Sequence, residues 1–321
     1  MIGIGFGTWA WGNQLLWGYR PEKDDLILEN TFKKAVSGGL SLVDTADSYG
    51  TGFLNGRSEI LLGNFIEKLP YDKRKSLNIA TKLAPFPWRI GNKGFQKAFL
   101  SSQRRLKGNI NRVQLHWSTS RYAPWQEMPL IDNLIFLVQN GYVQEIGLSN
   151  VGPERLKHIY QHLKSSGVKL KSLQMQFSLL SSGNTSGNQK QLRELCKELE
   201  IELIAYSPLA FGVLCVPPNC KKLPSTLLRR RIFHRLLPGS NLLRQALQEI
   251  ALERKASQSQ VALNWCRAHG AMPIPGLRTP QQAEDTVSAL NWTLSNAERE
   301  QLDSISEECK ERMPNNPFQS K

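Results

Sequence analysis

The stretch Val43-Asp44-Thr45-Ala46-Asp47-Ser48-Tyr49-Gly50 reads as the end of a buried strand running into a polar loop. Leu40, Leu42 and Val43 supply the apolar run. A carboxylate at Asp44 and a phenol at Tyr49 follow it. Taken alone, an Asp after a strand is an ordinary turn or cap residue. Three later stretches repeat the pattern: Ile79-Ala80-Thr81-Lys82, Val113-Gln114-Leu115-His116 and Ile146-Gly147-Leu148-Ser149-Asn150. Each is an apolar run whose last residues are polar and chemically able. Four in succession predict a site at one end of a parallel barrel, where C-terminal strand ends supply catalytic groups.

The rest of the chain fits that frame. Ile2-Gly3-Ile4-Gly5-Phe6-Gly7 reads as a first strand and Thr8-Trp9-Ala10-Trp11-Gly12 as an aromatic loop. Leu28, Phe32, Ala35 and Val36 recur at helical spacing, and Gly38-Gly39 stops that helix. Pro153 stands where a helix would begin. A sixth strand runs from Leu170 to Phe177 and contains Gln174; a seventh ends at Tyr206-Ser207-Pro208. An irregular basic insert is expected at about 210–240, followed by helices over Leu243–Arg254 and Gln258–Ala268. Met272-Pro273-Ile274-Pro275-Gly276 reads as the eighth strand, with a proline content unusual for a central one. Eight strand–helix repeats predict an α/β fold, a (β/α)8 TIM barrel with additional C-terminal helices, forming a single domain over 1–321. No G-x-G-x-x-G separates a strand from a helix, so a Rossmann domain is not supported.

Composition narrows the function classes. Lys+Arg 41 against Asp+Glu 27 gives a net charge of +14, spread along the chain apart from Arg229-Arg230-Arg231 with Arg235 nearby. A nucleic-acid binder would gather its charge with aromatics on one face, so no nucleic-acid partner is expected. The excess favours anionic ligands instead. No apolar run is long enough to span a membrane, and Met1-Ile2-Gly3-Ile4 lacks the basic start of a signal peptide. Five scattered cysteines without a CxxC pair imply a reducing compartment, no zinc site and a cytoplasmic location.

Brought together, Asp44, Tyr49, Lys82 and His116 suit carbonyl reduction. A free phenol with a pKa of about 10 is a poor acid at neutral pH. A lysine cation beside it is expected to lower that pKa, and a carboxylate would hold the lysine charged. The phenol then protonates a carbonyl oxygen that a neutral histidine orients. No metal is required. Each residue also has an ordinary reading: Lys82 as a surface cation, His116 as a core histidine, Tyr49 as a loop aromatic.

These motifs, with Ala205-Tyr206-Ser207-Pro208-Leu209 and Ile274-Pro275-Gly276, occur in the order found in the aldo-keto reductase family, which the chain resembles over essentially its whole length. Within the family the closer likeness is to the pyridoxal-reducing group of plants and cyanobacteria. It is carried by the segment from Gly7 to Tyr19, by Leu54-Asn55-Gly56-Arg57-Ser58-Glu59 and by Gln114-Leu115-His116-Trp117-Ser118-Thr119. The resemblance implies an NADPH/NADP+ cofactor and a small-molecule aldehyde substrate, with pyridoxal reduced to pyridoxine preferred. Tyr49 becomes the general acid, Lys82 and Asp44 its tuning pair, and His116 the carbonyl's orienting group. Ser149, Asn150 and Gln174 would take the nicotinamide carboxamide, and Tyr206 would stack on its ring. Gly7, Thr8 and Trp9 would border the cofactor, and Ser207, Pro208 and Leu209 would line the pyrophosphate. Gly276, Arg278, Gln282 and Asp285 would hold the adenosine 2′-phosphate end. Trp9, Trp88 and Trp117 would wall the substrate pocket.

The chain departs from the family in places. Thr286 replaces an adenine-contacting Asn, and Gly212-Val213-Leu214-Cys215 lacks the usual Thr-Gly-Lys, so that Arg229 to Arg231 become candidates for the missing phosphate cation. A second reading is a nicotinamide-binding regulatory subunit, as some family members are. The oligomeric state is not read from the sequence.

Overall fold

Eight short parallel strands follow one another in space in the order of the chain: β1 Phe6–Gly7, β2 Leu42–Ala46, β3 Asn78–Leu83, β4 Arg112–Leu115, β5 Glu145–Ser149, β6 Leu170–Gln176, β7 Glu202–Tyr206 and β8 Ala271–Ile274. The computed structural model describes residues 2–89, 91–181, 187–220, 223–314, 316–317 and 319–320. Hydrogen bonds from Gly5 N to Pro273 O (3.0 Å) and from Gly7 N to Pro275 O (2.9 Å) join the last strand to the first and close the barrel. This explains Pro273 within β8 and Pro275 just beyond it. A residue's N–H and C=O point to the same side of a strand, so Pro273 and Pro275 lack their N–H groups on the β1 side. The β7 ladder keeps its donors.

Alternation along the strands sorts the side chains. Val43, Ile79, Val113, Ile146 and Leu173 pack outward against the helices. Toward the barrel axis, Leu42, Ala80, Ile204 and Ile274 form a small apolar cluster. The next inward layer is polar: Asp44, Lys82, Gln114, Ser149 and Gln174 are all buried. Gly147 makes room for that layer. A Cβ there would come within 3.0 Å of Gln114 Cγ and 2.5 Å of Ser172 Oγ.

The helices follow their apolar periodicity. The Pro21–Ser37 helix buries Leu28, Phe32, Ala35 and Val36. The Pro153–Ser165 helix starts at its proline. Pro280–Ser288 and Asn296–Glu308 are the additional helices near the C-terminus; the second carries a capping box between Ser295 and Glu298. The basic insert differs from expectation. Ala210–Cys215 is a short 3-10 segment and Leu227–Gly239 is a helix, not irregular chain. Its buried face is just Phe233 and Leu236, too few positions for a periodic signal. A one-turn helix at Tyr71–Lys75 was likewise not foreseen, because none of its residues is buried.

Candidate active site

Asp44 and Lys82 meet inside the top of the barrel. Lys82 Nζ donates to Asp44 Oδ2 at 2.5 Å, with both residues at most 2% exposed. Asp44 Oδ1 accepts from Gln174 Nε2 at 2.7 Å and Gln114 Nε2 at 3.3 Å. A buried ion pair is tolerated when its remaining hydrogen-bonding capacity is met, and the two glutamines meet it here. Burial pushes the Lys82 pKa down, and the Asp44 charge opposes that fall.

Tyr49 lies above the pair. Lys82 Nζ is 4.9 Å from the centroid of its ring. The loop is fixed by Tyr49 N to Ala46 O (3.2 Å) and Gly56 N to Tyr49 O (3.0 Å). Gly50 has φ +129°, and a Cβ on it would sit 1.7 Å from Leu54 O, so the turn that presents Tyr49 needs glycine. The expected lowering of the Tyr49 pKa is not what the structure gives. Burial first, then the charges of Asp44, Tyr206 and Asp47, hold it well above the ordinary phenol value. Tyr49 is therefore a protonated donor at neutral pH.

The ring of His116 packs edge-on against Tyr49 with centroids 5.7 Å apart. Ser48 Oγ is 3.4 Å from His116 Nδ1. Burial, then Lys82 and Arg89, push the His116 pKa well below its ordinary value, so the imidazole is neutral. The unfolded chain binds a proton at this residue below a pH of about 6.5 and the folded chain does not. Its contribution to stability is complete above about pH 6.5 and is lost as the pH falls toward the folded pKa. The His116 ring resonances are expected to stay flat from about pH 8 to about pH 5; a midpoint near 6.5 would show a solvated, chargeable ring.

Behind these groups, Asp47 is buried and takes hydrogen bonds from Ala84 N at 3.2 Å and from Arg89. Burial raises its pKa to about 6, with Arg89 opposing the rise. Arg89 also lies 4.9 Å from the Phe86 ring centroid, and its bond to Asp47 ties the loop after β3 to the loop after β2.

A cavity of about 1100 Å³ opens over this end of the barrel, larger than the roughly 300–1,000 Å³ of ordinary ligand sites. Tyr49, His116 and Trp117 border one part of it; Gln282, Asp285 and Thr286 border another. Gly7, Trp9, Ser149, Asn150 and Gln174 also line it, as do Tyr206, Ser207, Pro208, Leu209 and Gly276. Thr8 is buried behind this wall, donating from Oγ1 to Asp44 O at 3.0 Å. Asn150, Ser207 and Phe211 have left-handed backbones, with φ of 58°, 51° and 58°. Such strain clusters at functional sites.

Some expected residues are placed differently. Trp88 is 72% exposed and stacks on Phe86 at 4.5 Å, outside the cavity wall. The tight turn after β3 tips it outward, so it does not belong to the substrate wall. Arg278 is also outside the wall; its guanidinium carbon lies 5.9 Å from the Trp17 ring centroid. Gln174 uses its amide nitrogen on Asp44. Asp285 accepts from Ser257 Oγ (2.9 Å), Gln260 Nε2 (2.7 Å) and Ser259. Sequence reasoning assigned nothing to the C-terminal tail. Pro314, Asn316 and Pro317 nevertheless border the cavity, and Asn316 Nδ2 donates to Asn150 Oδ1 and Tyr206 Oη, both at 2.9 Å. A Pro/Asn-rich tail carries no periodic signal that would have pointed there.

Residues 3–307 match the family model described as the aldo/keto reductase family. Over 321 residues the chain is 46% identical to the chloroplastic pyridoxal reductase of Arabidopsis thaliana, covering 99% of this chain and 87% of that protein. The glycerol dehydrogenase of Gluconobacter oxydans shares the fold with a TM-score of 0.78 at 24% identity, covering 98% of this chain and 94% of that one. An aldo-keto reductase of Klebsiella pneumoniae, solved with NADPH, gives a TM-score of 0.73 at 21% identity over 98% and 94% of the two chains.

Proposed function

The chain belongs to the aldo/keto reductase family, and from that premise we propose that it is an NADPH-dependent reductase of small aldehydes whose substrate is pyridoxal. The observation that carries the reading is the buried Asp44–Lys82 pair beneath a protonated Tyr49, beside a neutral His116, at one end of a large cavity.

When bound, NADPH would supply a hydride to the carbonyl carbon. This chain's residues do the rest. Tyr49 gives its proton to the carbonyl oxygen as charge develops there. The negative charge left on the phenol is met by Lys82, which Asp44 holds in place and keeps charged. His116, neutral, orients the same oxygen by a hydrogen bond. Ser149, Asn150 and Gln174 would hold the carboxamide side, with Tyr206 stacking on the ring. The Nε of Arg229, without a hydrogen-bond partner among the described residues, and the polar Gln282 and Thr286 at the cavity wall fit the phosphate-bearing half. A cytoplasmic location is part of the same proposal, resting on the scattered cysteines of the sequence; fractionation of cells tests it. The test of function is consumption of NADPH with a panel of aldehydes that includes pyridoxal. Reduction of other aldehydes without pyridoxal would retire the substrate and keep the reaction.

The aromatic wall gives a sharper test. The Trp117 ring lies 4.9 Å from His116 and its Nε1 donates to Tyr122 Oη at 2.8 Å, which fixes the indole beside the carbonyl end. Trp117→Ala is expected to raise the KM for pyridoxal about five- to tenfold, the loss of one aromatic contact of about 1–1.5 kcal/mol. The KM for a short aliphatic aldehyde changes less. Trp88→Ala is expected to leave both nearly unchanged. Equal effects of the two substitutions would mean that neither ring reads the substrate.

A further inference from the structure

Of Arg229-Arg230-Arg231, Arg229 lines the cavity. Arg230 and Arg231 are exposed, and Arg230 Nε donates to Pro224 O at 2.9 Å. Arg229 is held from three sides. Its guanidinium carbon lies 4.5 Å from the Trp17 ring centroid and 5.3 Å from that of Phe233, and Nη2 donates to Phe211 O at 3.0 Å. Its Nε is buried and has no hydrogen-bond partner among the described residues.

The charge of Arg229 is also unanswered. Arg57, Arg89, Arg105, Arg112 and Arg155 each face a carboxylate. Arg229 faces none among the described residues, and the strongest charge acting on it is that of another cation, Arg278. Both guanidinia approach one ring, that of Trp17. A partly desolvated cation with a like charge nearby and no counter-ion is unfavourable. An anion arriving from the cavity removes the penalty.

The position of Arg229 says which anion. Its anchor, Phe211 O, and the adjacent Gly212 belong to the segment after β7. A Cβ built on Gly212 would come 3.3 Å from Arg229 Nη2, so this backbone runs against the guanidinium. Ser207, Pro208 and Leu209, which precede it, line the same cavity. Arg278 follows β8, with its guanidinium carbon 5.9 Å from the centroid of the same Trp17 ring. Arg229 thus stands against the segment after β7, whereas Arg278 belongs to the segment after β8.

Resting on the function proposed above, we infer that Arg229 is the cation this chain sets against the pyrophosphate of the dinucleotide, in place of the lysine that the segment 212–215 lacks. Trp17 and Phe233 clamp the guanidinium, and the clamp is tied down by Thr226 Oγ1 donating to Leu16 O at 2.7 Å. The pyrophosphate is common to NADPH and NADH, whereas the 2′-phosphate is not.

Calorimetric titration of both cofactors into the folded protein separates the roles. Arg229→Ala is expected to raise the Kd of NADPH and of NADH alike, by about 10- to 100-fold for a lost charge-assisted hydrogen bond. Arg229→Lys falls between that variant and the wild type. Arg278→Ala weakens NADPH while sparing NADH, and Arg230→Ala changes neither. If Arg229→Ala does not fold, Arg229→Gln carries the same expectation. Wild-type affinity for NADH in Arg229→Ala or Arg229→Gln, or a loss confined to NADPH, overturns the assignment while the functional reading stands. A wild-type chain that binds neither cofactor overturns both.

Discussion

Tyr49→Phe lowers the rate of carbonyl reduction by about 10²–10⁴-fold, the usual worth of a positioned general acid, and leaves cofactor binding almost unchanged. The reasoning is local. Among the described residues the Tyr49 hydroxyl makes no hydrogen bond to the protein, so its removal strands no buried partner. The ring stays, and with it the contacts to His116 and Lys82. What disappears is the O–H that the reaction consumes. Single-turnover reduction by the preformed NADPH complex measures this directly, and normal turnover would sink the assignment. The pH profile adds a second check. Burial and the Asp44 charge hold the Tyr49 pKa above the phenol value, so the acid stays loaded through the neutral and mildly alkaline range. Its rate is expected to be flat up to a pH of about 10. A decline in the chemical step beginning near neutrality would mean that Lys82 dominates and the phenol is partly ionised, the arrangement that charge proximity alone suggested.

That difference marks where the sequence stops being informative. The barrel was legible because its signals are periodic: apolar runs of strand length, helices between them, and Gly38 or Pro153 at the boundaries. Asp44, Tyr49, Lys82 and His116 were legible as a group because the three strand ends that carry them, those of β2, β3 and β4, are neighbours in the barrel. The sign of the Tyr49 shift was not, because it depends on depth. Lys82 lies against the ring face, while burial and the Asp44 charge both push the phenol pKa up. Trp88 and Trp117 illustrate the same limit. Both follow strands and both are aromatic, but loop geometry turns one into solvent and seats the other against His116. Asn316 had no signal at all. It reaches Asn150 and Tyr206 from far along the chain, and a contact of that separation leaves no local pattern.

Lys82→Met is expected to abolish turnover and to destabilise the fold by about 3–5 kcal/mol, because it leaves the Asp44 carboxylate buried without its counter-charge. The two effects have different origins, and a second substitution separates them. In Asp44→Asn/Lys82→Met the uncompensated charge is gone, while the asparagine oxygen still accepts from Gln174 and Gln114, the two donors that hold Asp44 Oδ1. Stability is then expected to recover most of the loss, read as the return of the urea unfolding midpoint toward the wild-type value. Activity does not recover, since nothing replaces the cation that answers the charge left on Tyr49. Should the double variant regain turnover along with stability, the lysine would be a structural partner of Asp44 and no part of the chemistry. Should it stay as unstable as the single variant, the loss would come from packing around the lysine stem and not from the stranded carboxylate. Recovery of folding without recovery of chemistry is the outcome that the buried pair beneath the Tyr49 ring predicts.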